Sequence, residues 1–309
     1  MTRRGLSASV SARWAGLASA DYVKGLDDLS WSGIRQVHLN HNYLVTGSRA
    51  TYWVDWIRDH YLRNGDAGDA LSLGCGAGHL DRILSQQGFV FRSFTGIDIS
   101  GPAVDHARVQ AEAIALAPSV HYLTADLNVC ELQERRFDFI YFFQSLHHIE
   151  ALEHLLAQCR RALRPGGVLM VNEFVGPSRF QWTDRQIAEA NRALEALPES
   201  LRRDRLRGGI KTEVVRPSVQ QMIDYDPSEA VRSGEIETIL KASFDVFAEW
   251  NWGGTVNHLV FQDIAANFDP ADQLHQDVVE SLIDSENALI GDGRLPSDFK
   301  VFLARPPAS

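Results

Sequence analysis

From Asp69 to about Val175, short apolar runs alternate with stretches whose apolar residues recur at helical spacing. "DALSLG" precedes "HLDRILSQQG", "FRSFTGID" precedes "GPAVDHARVQAEAIALA", and "VHYLTAD" precedes a turn-rich segment. "FDFIYFF" then precedes "IEALEHLLAQCRRAL", and "GGVLMVNEFV" closes the series. This alternation predicts βαβ units, hence a mostly parallel sheet with helices on both faces. The fold class expected is α/β, doubly wound. Ser100 or Gly101 before Pro102 marks a helix start, and "LRPGG" after Ala162 marks a helix stop leading into a strand.

The pattern is less regular downstream. "TDRQIAEANRALEALPESLRR" predicts a helix capped by Thr183 or Asp184, with Pro198 opening a second short helix. "SVQQMIDYD" and "GEIETILKA" are short helices, and "SFDVFAEWNW" is an aromatic strand. A long helical stretch is expected from about His258 to Leu289, and "SDFKVFLAR" alternates as a final strand. These two strands bring the sheet to seven, one of them antiparallel at its edge. Near the N-terminus, "WSGIRQVHLNHNYLVTG" predicts a helix that crosses the open end of the sheet as a lid.

Composition narrows the function classes. The chain has 309 residues, 45% of them hydrophobic, enough for one large domain or a domain with an accessory lobe. Its formal charge of -10 argues against a nucleic-acid partner. Cys75, Cys130 and Cys159 lack metal spacing and a paired framework, so free thiols and no structural zinc are expected. The segment "MTRRGLSASVSARWAGLASA" has an arginine pair but no apolar centre, and no run reaches membrane-spanning length. A cytoplasmic protein without membrane partners, monomer or homodimer, is the expectation.

The densest chemical signal is "LSLGCGAG", where Gly74, Gly76 and Gly78 follow the first apolar run. Glycines in a strand-to-helix turn allow a tight bend and close approach of a ligand. The spacing G-x-G-x-G differs by one place from the dinucleotide fingerprint. Asp98 ends the second strand, where a carboxylate can accept from both hydroxyls of a ribose, and Asp126 ends the third, within reach of an adenine amino group.

These residues resemble the class I S-adenosylmethionine-dependent methyltransferases. The matching segments are "LSLGCGAG", "GIDIS", "TADL", "FDFIYFFQSLHHIE" and "LRPGGVLMVNEF", in the family's order. The downstream "VNEFVGPSRFQWTD", "VVRPS", "DPSEAVRS" and "GGTVNHL" resemble a bacterial subgroup acting on small molecules. The resemblance implies a Rossmann-like sheet and S-adenosyl-L-methionine as cofactor. It implies that Gly74, Cys75, Gly76 and Gly78 hold the cofactor's amino-acid end, Asp98 and Ile99 its ribose, and Asp126 and Leu127 its adenine. Gln144 would lie near the sulfonium.

A general base or substrate-orienting group is expected at His148 first, then His147, and Glu173 is expected to bind a substrate amine or hydroxyl, all at strand ends. Each also has a packing or capping alternative. Trp31, Arg35, Tyr43, Trp182, Arg216, Arg232 and His258 are the expected substrate contacts, with core packing, or for Arg216 and Arg232 ion pairs to nearby acids including Asp226 and Glu229, as the alternatives. His38 and His41 share a helix face, but nothing local completes a metal site, so no metal is expected.

The chain is thus read as a flexible tail (1–20), helical lid (21–65), cofactor-binding core (66–176), helical insertion over the substrate (177–243) and completing strands and helices (244–309). The expected reaction is methyl transfer to oxygen or nitrogen of a small metabolite. The alternatives are a cyclisation or rearrangement in the same pocket, and a non-catalytic cofactor-binding partner.

Overall fold

The computed structural model describes residues 29–307; the expected tail and the first part of the expected lid lie outside the described residues. The elements, in order, are α1 (Arg35–Thr46), α2 (Trp53–Tyr61), β1 (Asp66–Leu73), α3 (His79–Gln86), β2 (Val90–Asp98), α4 (Gly101–Ala113) and β3 (Val120–Thr124). There follow β4 (Phe137–Phe143), α5 (Leu152–Ala162), β5 (Leu163–Phe174), α6 (Asp184–Glu195), α7 (Val219–Tyr225) and α8 (Ile236–Ser243). β6 (Asp245–Gly253), α9 (Asn257–Phe261), α10 (Gln273–Gly291) and β7 (Phe299–Arg305) complete the series.

The seven strands form one sheet in the order β3-β2-β1-β4-β5-β7-β6. β1 to β5 pair in parallel, and β7 runs antiparallel to both β5 and β6. The reversed strand is thus β7, one place in from the β6 end. Its reversal brings Phe299, at its start, to the same sheet edge as Phe174 and Gly253.

Strand period explains the two cores. Along β4, Phe139 and Tyr141 enter one apolar cluster, and Ile140 and Phe142 enter the other. Leu152, Leu155, Leu156 and Cys159 of α5 meet Ile236 and Leu240 of α8 over the second face. Each such large apolar side chain contributes about 1.5–3 kcal/mol on burial.

Local signals explain the helix ends. Ser100 accepts from the Ala103 N–H with Pro102 inside the first turn, and Thr183 closes a full capping box with Gln186. The long helix expected from His258 to Leu289 is broken into α9, a 3-10 turn and α10. It stops at Phe261, where Gln262 leaves helical backbone and Asp263 has φ +66°; Pro270 lies in the gap, and Asp272 restarts the helix by accepting from the N–H groups of Leu274 and His275.

One buried acid makes stability depend on pH. Asp298 is fully buried and accepts from Gln186 Nε2 at 3.0 Å; burial, then the neighbouring Glu286 charge, pushes it up to about 8. The folded state therefore holds a proton that the unfolded chain gives up near pH 4. Stability should fall as pH rises from there to about 8 and level off beyond. Asp298→Asn is expected to flatten this decline in thermal melts; an unchanged slope would assign it to other groups.

Candidate active site

The strand order reverses between β1 and β4, the switch point at whose carboxyl ends open α/β sheets bind ligands. The glycine loop leaves β1 there, and Gln144 to His148 leave β4. Gly74 has φ +69°, and a Cβ on it would stand 2.4 Å from Ser145 Cβ, so glycine lets the two loops touch. Gly76 has φ +51° but faces open space, where no protein atom lies within 4 Å of a Cβ. That opening is room for a ligand against bare backbone.

Asp98 stands beside it. Its Oδ2 accepts from the Gly76 N–H and its Oδ1 from the Ser100 N–H, both at 2.8 Å. Burial pushes its pKa up, while these N–H groups and that of Ile99 oppose the rise. Asp126 Oδ1 accepts from Asn128 N and Nδ2, and Leu127 beside it is buried. Asn128 Oδ1 in turn accepts from Glu150 N and Ala151 N, tying the third strand's loop to the start of α5. Cys75 is half-buried, and Gln144, at φ +51°, donates from Nε2 to Asn172 Oδ1. An open glycine turn, a carboxylate with acceptor capacity at the next strand end and a second acid at the third fit S-adenosylmethionine.

The two histidines separate in character. Glu173 is wholly buried: its Oε2 accepts from Ser145 N and Leu146 N, its Oε1 from Phe174 N, and His147 Nδ1 bonds to it as well. The expected ligand-facing acid is therefore committed to holding the turn that carries the histidines. Burial lowers the His147 pKa, but the charges and hydrogen bonds of Glu173 and Glu229 outweigh it and hold it up at about 10. With no ion bound, these two carboxylates favour the protonated form of His147, which makes it a poor base. Burial and the His147 charge push half-buried His148 down; its Nδ1 lies 3.1 Å from Ser228 Oγ.

Sequence reasoning read the loop "DPSEAVRS" with Asp226 and Glu229 only as ion partners for the arginines, and missed that it completes this cluster. Asp226, Ser228 and Glu229 follow α7, about eighty residues after the histidines in the numbering. The Val231 N–H donates to the His147 carbonyl at 3.1 Å, and Arg179 Nη1 donates to the Glu229 carbonyl at 3.1 Å. Arg179, Phe180 and Ala230 all have positive φ, so left-handed backbone gathers where the loop meets the site. "DPSE" is a recognisable turn, but only the folded chain shows that Glu229 faces His147.

The expected substrate contacts divide. Trp31, Trp182 and His258 come together with Phe174, Phe180 and Phe299: the His258 ring centroid lies 6.1 Å from Trp31, 6.2 Å from Trp182 and 5.3 Å from Phe299. Burial lowers the His258 pKa to about 4, and its Nδ1 is shielded from solvent without a protein partner. Arg35 and Tyr43 of α1 are exposed. Arg216 bonds to Asp184, and Arg232 binds Glu153 and Glu235, so both guanidinium groups stand in ion pairs, with acids other than the Asp226 and Glu229 named as expected partners. His41 is buried and stacked on Trp252, whereas His38 bonds to the Ser32 carbonyl. All three cysteines are free, and no helix among the described residues is long and apolar enough to cross a membrane.

Residues 71–171 match a family model described as "Methyltransferase domain". Among curated proteins, the chain is 30% identical over 99 residues to a ubiquinone biosynthesis O-methyltransferase of Coxiella burnetii, covering 32% of this chain and 40% of that one. It is 29% identical over 139 residues to 27-O-demethylrifamycin SV methyltransferase of Amycolatopsis mediterranei, covering 44% and 50%. The chain thus spans half or less of the length of these relatives. A crystal structure of an S-adenosylmethionine-dependent methyltransferase from Mesorhizobium loti aligns with 82% of this chain and 97% of that one, at 18% identity and TM-score 0.45.

Proposed function

We propose, from the premise that residues 71–171 are a class I S-adenosylmethionine-dependent methyltransferase domain, that this protein methylates an oxygen or nitrogen of a small metabolite. The acceptor sits between His148 and the aromatic group of Trp31, Phe180, Trp182 and His258. One observation carries the reading: the open glycine turn with Asp98 and the His148 cluster meet at the sheet's switch point, where the Gly74 and Ser145 loops touch. The two curated relatives, both methyltransferases and one of ubiquinone biosynthesis, support a biosynthetic metabolite as acceptor.

When bound, S-adenosylmethionine supplies a methyl group already activated by positive sulfur, which leaves the protein mainly the work of positioning. Asp98 and the loop from Gly74 to Gly78 hold the donor side. Glu173 fixes the turn after β4 through three backbone N–H groups and His147, and so sets where His148 stands. His148 contacts the acceptor and orients its nucleophilic atom. The aromatic rings exclude water and give the acceptor a flat apolar wall.

His148→Ala is expected to lower turnover on the order of 100-fold while cofactor affinity stays unchanged. Labelled-methyl transfer to a panel of hydroxylated and amino metabolites, with cofactor calorimetry alongside, measures both. Loss of cofactor affinity in this variant would remove His148 from the acceptor side.

A further inference from the structure

We propose that His147, His148 and Glu229 form a binding site for one divalent transition-metal ion. One ligand-capable atom from each of the three lies within 4.8 Å of the other two. His147 Nε2 and Glu229 Oε1 are 3.4 Å apart. Without an ion this is a long charged contact, since a close charge-assisted hydrogen bond spans about 2.7–2.9 Å, and an ion between the two atoms would displace the His147 proton. Two donors bound at about 2.0–2.2 Å to one tetrahedral ion, however, stand about 3.4 Å from each other.

The surroundings of both rings match those of metal-ligating histidines, whose second nitrogen bonds to an outer partner that fixes ring and tautomer. His147 Nδ1 bonds to Glu173, and Glu173 is itself fixed by three backbone N–H groups. His148 Nδ1 lies 3.1 Å from Ser228 Oγ, which donates to Asp226 Oδ1 at 2.7 Å. Each partner fixes its ring while one ligand atom of each histidine lies within 4.8 Å of a Glu229 oxygen. His147 is buried, whereas His148 and Glu229 are half-buried, which leaves a side from which an ion and one further ligand can enter. Three protein ligands with an open position is the pattern of a working rather than a purely structural metal site.

Two imidazoles and one carboxylate suit zinc, iron(II) or cobalt(II); magnesium and calcium prefer oxygen throughout. With the ion present, His148 acts as a ligand, and its effect on the acceptor runs through the metal. The site stands on side-chain geometry and does not depend on methyl transfer. It also differs from the His38 and His41 pair, where His41 is buried in an aromatic stack.

The test uses the full chain without a histidine tag, stripped by chelator. Zinc is titrated by calorimetry and cobalt(II) by its visible ligand-field absorption, with magnesium in excess. The expected result is one equivalent of zinc or cobalt bound and no displacement by magnesium. His148→Ala and Glu229→Gln should each weaken binding on the order of 100-fold. Glu173→Gln, which acts on the ion through His147 and through the turn that carries both histidines, should weaken it about 10–100-fold, and His38→Ala should leave it unchanged. Circular dichroism checks that each variant is folded. Absence of stoichiometric uptake by folded protein, full affinity in Glu229→Gln, or equal loss in His38→Ala would overturn the site. Calorimetry with S-adenosylmethionine on the same samples reads the cofactor pocket separately, so failure of either reading is seen without the other.

Discussion

Glu173→Ala is expected to destabilise the fold by about 3–5 kcal/mol, the cost of breaking a buried ion pair by removing one partner. The carboxylate is wholly buried and accepts from Ser145 N, Leu146 N and Phe174 N as well as pairing with His147. Alanine would leave three backbone donors without their acceptor and a buried imidazolium with Glu229 as its remaining counter-charge. Glu173→Gln keeps one carbonyl oxygen for the backbone donors and should lose less. Urea unfolding followed by circular dichroism measures both variants. A Glu173→Ala protein within about 1 kcal/mol of the unaltered chain, a normal hydrogen bond's worth, would show that the turn after β4 holds itself.

Asp98→Ala is expected to weaken S-adenosylmethionine binding on the order of 100-fold or more, since hydrogen bonds to a charged group contribute about 1.5–3 kcal/mol each. The carboxylate spends part of its capacity on Gly76 N and Ser100 N. Two carboxylate oxygens offer about four acceptor positions, so capacity remains for ribose hydroxyls. Alanine removes both functions, because the N–H of Gly76 also loses the partner that shapes the glycine turn. Asp98→Asn keeps one acceptor and should fall between the two. Calorimetric titration of folded protein decides the matter; near-normal affinity in Asp98→Ala would place the ribose elsewhere.

The parallel sheet was legible because each strand is a short apolar run ended by a turn, and β4 as "FDFIYFF" is apolar enough to serve two cores at once. The strand-end positions of Gly74 to Gly78, Asp98 and Asp126 were legible for a related reason: in a parallel sheet, sequence order alone places strand ends along one edge. The surroundings of the two histidines were not. Glu173 has the same position on its strand as a ligand-facing acid would have, and only the three N–H groups around it reveal its structural use. Glu229 and Ser228 belong to a loop whose approach to His147 depends on tertiary contacts such as Val231 N to the His147 carbonyl. Arg216 and Arg232 carry forked donors suited to a ligand, but on an acidic chain Asp184, Glu153 and Glu235 reach them first. Of the break between α9 and α10, only Pro270 was visible in the sequence; it begins earlier, at Gln262 and the left-handed Asp263.

Incubation of the full chain with methyl-labelled S-adenosylmethionine and a panel of small hydroxylated and amino metabolites, followed by mass spectrometry, tests methyl transfer most directly. The expected result is label in a low-mass product one methylene heavier than its precursor, bound through oxygen or nitrogen and lost in Asp98→Ala. Label in protein or nucleic acid, or a converted metabolite of unchanged mass, would contradict it.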